Sequence, residues 1–92
     1  MATYMMFGRY TAEGIRDISA ARTAKAEDLI KEAGGKIKAG YALLGDVDLV
    51  LNVEFRNNEQ AMKASVELSK MLGISFTTAP AMEVDDFDKL LG

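Results

Sequence analysis

Hydrophobic and polar positions alternate at period two in three stretches of this chain, a further stretch near its start is apolar at both phases, and apolar positions recur at helical spacing elsewhere. Thr3 to Arg9 places Met5 and Phe7 on one face and Tyr4 and Met6 on the other, with Tyr10 following them. Both faces are apolar, which predicts a central strand in a sheet covered on each side. Thr11 is placed to cap a first helical turn through Ala12-Glu13-Gly14-Ile15, with Ile15 and Ile18 at helical spacing. A longer helix from Ala20 to Ala33 carries an i, i+3, i+4, i+7 stripe of Ala26, Leu29, Ile30 and Ala33, and Gly34-Gly35 stops it.

Lys36 to Leu43 sets Ile37, Ala39, Tyr41 and Leu43 against Lys36, Lys38, Gly40 and Ala42, a second strand that Gly45-Asp46 breaks. From Val47 to Phe55 every odd position is apolar while Asp48, Asn52 and Glu54 stand between, with Val50 making that face mixed. Strands two and three therefore form a hairpin around Gly45, Asp46 and Asp48. Asn57 and Gln60 have capping-box spacing for a helix whose buried stripe is Ala61, Ala64, Leu68 and Leu72, flanked by Met71 and closed by Gly73. Ile74 and Phe76 alternate with Ser75 and Thr77 in a fourth strand, and Pro80 marks it as an edge or a bend. Val84 to Leu91 forms a short helix with Phe87, Leu90 and Leu91 on one side. The order β, α, β, β, α, β predicts an α+β, ferredoxin-like domain over residues 1–92: a four-stranded antiparallel sheet with two helices on one face and a short C-terminal helix.

A chain of 92 residues builds one core. Near this size a domain buries only about 60 to 65% of the surface that its unfolded chain exposes, so association would add stability. Apolar residues make up 49% and charged residues 27%, an ordinary globular balance. The apolar stretches Tyr4–Phe7 and Ala39–Leu44 fall far short of the roughly 18 residues of a membrane span. The opening residues lack a secretory pattern, and a cytoplasmic location without membrane attachment is expected.

The absence of cysteine and histidine removes thiolate nucleophiles, imidazole bases and the usual zinc and haem ligands. No cofactor and no metal site is expected. Residues 1–46 carry seven basic against six acidic side chains and residues 47–92 four against eight, with no basic stripe to neutralise phosphates, so nucleic acid is not an expected partner.

Five segments carry a family resemblance: Met1-Ala2-Thr3-Tyr4; Thr11-Ala12-Glu13-Gly14-Ile15-Arg16-Asp17-Ile18; Gly34-Gly35-Lys36-Ile37-Lys38; Gly45-Asp46-Val47-Asp48-Leu49-Val50; and the C-terminal helix with Phe87. Together they resemble the GYD domain family over nearly the whole chain. In the turn, Gly45 and Asp48 match the family's glycine, aromatic, aspartate signature, and Val47 stands where the aromatic is expected. Valine suits a strand start as tyrosine does. The resemblance implies a dimeric α/β barrel and no common activity.

Asp48 has two readings, a general base or ligand anchor, and a carboxylate that accepts backbone N–H groups to fix the hairpin; the habit of aspartate in turns favours the second. Asn52 and Glu54 share a strand face, and Tyr4, Met6, Ser75 and Thr77 are their expected neighbours, so that Tyr4, Met6, Asp48, Asn52, Glu54 and Thr77 form the candidate ligand pocket on a buried dimer face. Glu83, Asp85, Asp86 and Asp88 suit the start of a helix better than a cation site, since ligand spacing and a loop glycine are missing. Gly34-Gly35 follows a helix and precedes a strand, the wrong order for a phosphate loop, and the six scattered methionines read as core filling. These readings leave three functions: a homodimer or higher homo-oligomer that binds a small molecule between facing sheets; a cofactor-independent monooxygenase or isomerase with Asp48 or Glu54 as base; and a structural or regulatory dimer without ligand.

Overall fold

The computed structural model describes residues 1–92. Its elements are β1 (Ala2–Tyr10), α1 (Ala12–Arg16), α2 (Ala20–Glu32), β2 (Lys36–Ala42), β3 (Leu49–Phe55), α3 (Asn58–Leu72), β4 (Ile74–Ala81) and α4 (Val84–Leu91). The antiparallel sheet has the order β2-β3-β1-β4, so the strand with two apolar faces is interior and the proline-bearing strand is at an edge. This is the ferredoxin-like arrangement expected from the order of elements.

Local chemistry sets the boundaries. Thr11 Oγ1 accepts the Gly14 N–H at 2.9 Å, Ser19 Oγ accepts the Arg22 N–H at 3.1 Å, and Asn57 Oδ1 accepts the Gln60 N–H at 2.9 Å. The Gln60 side chain reaches back to the Arg56 N–H at 3.2 Å, one residue before the capping-box donor. At the end of α2 the Gly34 N–H donates to Lys31 O and the Gly35 N–H to Ile30 O, a Schellman closure that needs the φ of +83° at Gly34. Ile15 and Ile18 stay exposed, because α1 stops at Arg16 before their spacing becomes a packed stripe.

The core lies between α2, α3 and one face of the sheet, and consists of Tyr4, Met6, Ile30, Val53, Phe55, Ala61, Ala64, Leu68, Leu72 and Ile74. The four expected stripe residues of α3 are its four buried residues. Tyr4 and Phe55 meet edge to face at 5.8 Å between ring centroids, and the Tyr4 hydroxyl donates to Asn58 Oδ1. Methionine does not fill the core as expected: Met6 is buried, whereas Met1, Met62, Met71 and Met82 are exposed. Strand β2 also departs from simple alternation. A bulge between Ile37 and Ala39 adds Lys38 to the strand, so Ala39 comes opposite Asn52 and Tyr41 opposite Val50, on the other face from Ile37. No helix is long and apolar enough to cross a membrane.

Candidate functional site

Side chains directly opposite in an antiparallel ladder share a face. Met5 pairs with Asn52 on one side and Ala79 on the other, and Phe7 with Val50 and Thr77. This face carries no helix, as the core contacts of α2 and α3 fall on the opposite side. Asn52 sits centrally in it, half-buried, and its Oδ1 is enclosed with no hydrogen-bond partner. Glu54, next along β3, lies 4.0 Å from Lys38 Nζ, the lysine of the bulge.

The six candidate pocket residues do not share a face. Asn52, Glu54 and Thr77 lie together on the open side, but Tyr4 and Met6 point into the helix-covered core, 3% and 0% exposed. Met5 and Phe7 take their place beside Asn52 and Thr77. The correction follows from strand periodicity: β1 is apolar on both faces, so composition does not say which set the helices cover, and its register with β3 does.

Asp48 stands just before β3 and is held at all three of its polar groups. Its Oδ2 accepts the Tyr10 N–H at 2.9 Å, its N–H donates to Gly8 O at 2.9 Å, and its carbonyl accepts the Leu43 N–H at 2.8 Å. The carboxylate thus completes the ladder where β3 has not yet begun, tying the end of β1 to the hairpin. Its donor is on β1, not in the hairpin itself. The hairpin loop is longer than a two-residue turn, and Gly45 has φ +150° with open space where a Cβ would stand. Val47 therefore lies in the loop and not at the strand start, lining a shallow hollow with Phe7, Arg9 and Thr77 at the end of the open face.

A second concavity, unforeseen in the sequence, lies on the helix side of the sheet. Between α2 and strands β2 and β3 there is a cavity of about 320 Å³ whose walls include Ala26, Ile30, Leu49, Leu51, Leu68 and Ile74. Arg22 stands in its lining, its guanidinium 5.7 Å from the centroid of the Tyr10 ring and its Nη1 donating to Gly14 O at 2.8 Å and Leu72 O at 3.4 Å. The signal was present in α2: its first half offers the sheet alanine where a core helix normally offers leucine. No three carboxylates converge as a metal site, those of α4 included.

Comparison with solved structures finds the same fold in FFRP-DM1, with a TM-score of 0.61 and 23% identity over 89% of this chain and 100% of that one. The leucine response regulatory protein LrpA of Mycobacterium tuberculosis matches with a TM-score of 0.59 and 6% identity, covering 89% of this chain and 51% of that one, so this chain spans about half of LrpA. At these identities the likeness concerns the fold alone. No curated protein matches the sequence. The GYD domain matches over residues 4–91, from the first core tyrosine to the end of α4. The segments that carry the resemblance lie within that span almost entirely, and the chain belongs to the GYD domain family.

Proposed function

We propose that this protein works as a homodimer whose open sheet faces pack on one another and hold a small polar molecule in the space that remains between them. The observation that carries this reading is the uncovered face itself, with Met5, Phe7 and Val50 surrounding the enclosed, unpartnered Oδ1 of Asn52. A buried carbonyl without a donor costs about 1 to 3 kcal/mol, which a donor from a ligand or a second copy would recover. Asn52, Glu54 and Thr77 supply the polar groups of such a space, and Met5 and Phe7 its apolar walls.

The surface area supports association. The chain exposes 6325 Å², about 1,100 Å² more than the roughly 5,200 Å² that size scaling gives a compact protein of 10.0 kDa. An ordinary stable interface covers about 800 Å² on each partner.

Sedimentation velocity tests the reading. The wild type should sediment as a dimer at tens of micromolar, and Phe7→Asp, which places a charge on the open face, should sediment as a folded monomer with an unchanged far-UV spectrum. A monomeric wild type would overturn the proposal. For the ligand, compounds that raise the melting temperature of the wild type should lose that effect in Asn52→Leu.

A further inference from the structure

The cavity on the helix side is separated from the open face by the sheet, and its chemistry is different. Its volume of about 320 Å³ lies at the lower end of the roughly 300 to 1,000 Å³ of small-molecule sites, and equals the share of about ten liquid waters. The void has a structural cause. Ala26 on α2 lines it, and a side chain longer than alanine's there would reach into it, whereas on the facing wall a Cβ at Gly40 would already meet Leu51 Cδ2 at 3.0 Å. What remains is a slot with apolar walls and one fixed cation.

That cation is Arg22. It is half-buried, it is braced by two backbone carbonyls through Nη1 alone, and it has no carboxylate within 4.0 Å. Its Nε and Nη2 make no hydrogen bond within the chain. Partly buried guanidinium groups ordinarily meet an anion, and the fork of Nε and Nη2 matches a carboxylate. Glu27, one and a half turns further along α2, also lines the cavity and is exposed. It opposes a second negative charge at that end, so an anion is directed to Arg22.

We infer that this cavity binds a small apolar carboxylic acid, of about ten non-hydrogen atoms by volume, with its carboxylate on Arg22 and its chain or ring among Ala26, Ile30, Leu51 and Leu68. The site is built within one chain and does not rest on dimer formation, so a monomeric Phe7→Asp protein should bind as the wild type does.

Octanoate, octylamine and octan-1-ol are suitable probes because they share a chain and differ in head group. Titration calorimetry on the full chain should find octanoate bound at least tenfold more tightly than octylamine, the scale of one charge-assisted pair. Arg22→Gln should lower octanoate affinity about tenfold, to that of octan-1-ol, while leaving octan-1-ol unchanged. Because Arg22 also braces Gly14 and Leu72, Ala26→Leu provides a second arm: it fills the slot and should abolish binding of both compounds without loss of the fold. Equal affinity for octanoate and octylamine, octanoate binding that survives Ala26→Leu, or no binding of octanoate by the wild type would each overturn the inference.

Discussion

Met6 and Phe7 are neighbours in the chain and are separated by the thickness of the sheet. Met6 is 0% exposed beneath α3, and Phe7 is 37% exposed on the open face. Aspartate at these two positions should therefore act differently. Met6→Asp buries an unpaired charge and should cost about 3 kcal/mol or more in a urea titration, enough to unfold much of the population. Phe7→Asp should leave the fold intact and act on association. Asp48 makes the same point with a polar side chain. Its carboxylate receives the Tyr10 N–H, which makes it part of the scaffold. Asp48→Asn keeps an acceptor there and should lose at most about 1 kcal/mol, whereas Asp48→Ala leaves the amide unpaired and should lose about 1 to 3 kcal/mol. Hydrogen exchange at the Tyr10 amide should accelerate in the alanine variant and little in the asparagine one.

Elements differ in how firmly they are held. Helix α3 has caps at both ends and a continuous buried stripe, so its boundaries and its buried face follow from its own residues. Replacing its cap, Asn57→Ala, should cost about 1 kcal/mol, readable as a lowered melting temperature. Helix α2 buries only Ile30 fully and leans on the edge of the sheet, and the cavity is the consequence. The β2–β3 loop depends on backbone conformation at one point. Gly45 has φ +150° with no atom within 4 Å of a Cβ position, so Gly45→Val should cost about 1 to 3 kcal/mol from strain alone, without a clash. A thermal melt equal to that of the wild type would mean that the loop relaxes to another conformation.

At the scale of the whole molecule, surface is in excess. The radius of gyration is 13.7 Å, against about 12.3 Å for a compact chain of this length, and no residue of α4 is buried, although Val84, Phe87, Leu90 and Leu91 are apolar. If two copies share their open faces, stability and association are one equilibrium. The melting temperature of the wild type should then rise with protein concentration, as mass action requires, and that of Phe7→Asp should not. A melting temperature independent of concentration in both proteins would place the open face in solvent.

Caps, glycine stops and apolar periods are local and legible in the residues: they predict every helix and strand to within about two residues and the interior place of β1, while Pro80 leaves β4 as an edge or a bend and the sheet order makes it an edge. The GYD segments were legible for the same reason, being short runs of particular residues. What the tertiary structure alone decided was which of its two apolar faces β1 turned to the helices. Met5 with Phe7 and Tyr4 with Met6 are both apolar sets, so only the ladder with β3 and the packing of α2 and α3 distinguish the core from the open face. The extra residue at Lys38 reverses the phase of β2 through its pairing, which its own alternation does not reveal. Asp48 finds its donor 38 residues away, and the cavity beside Arg22 is walled by residues of α2, β2, β3 and α3 that lie far apart along the chain. A period is a property of one segment, whereas a face, a register and a void are relations between segments, and those are set only when the chain has folded.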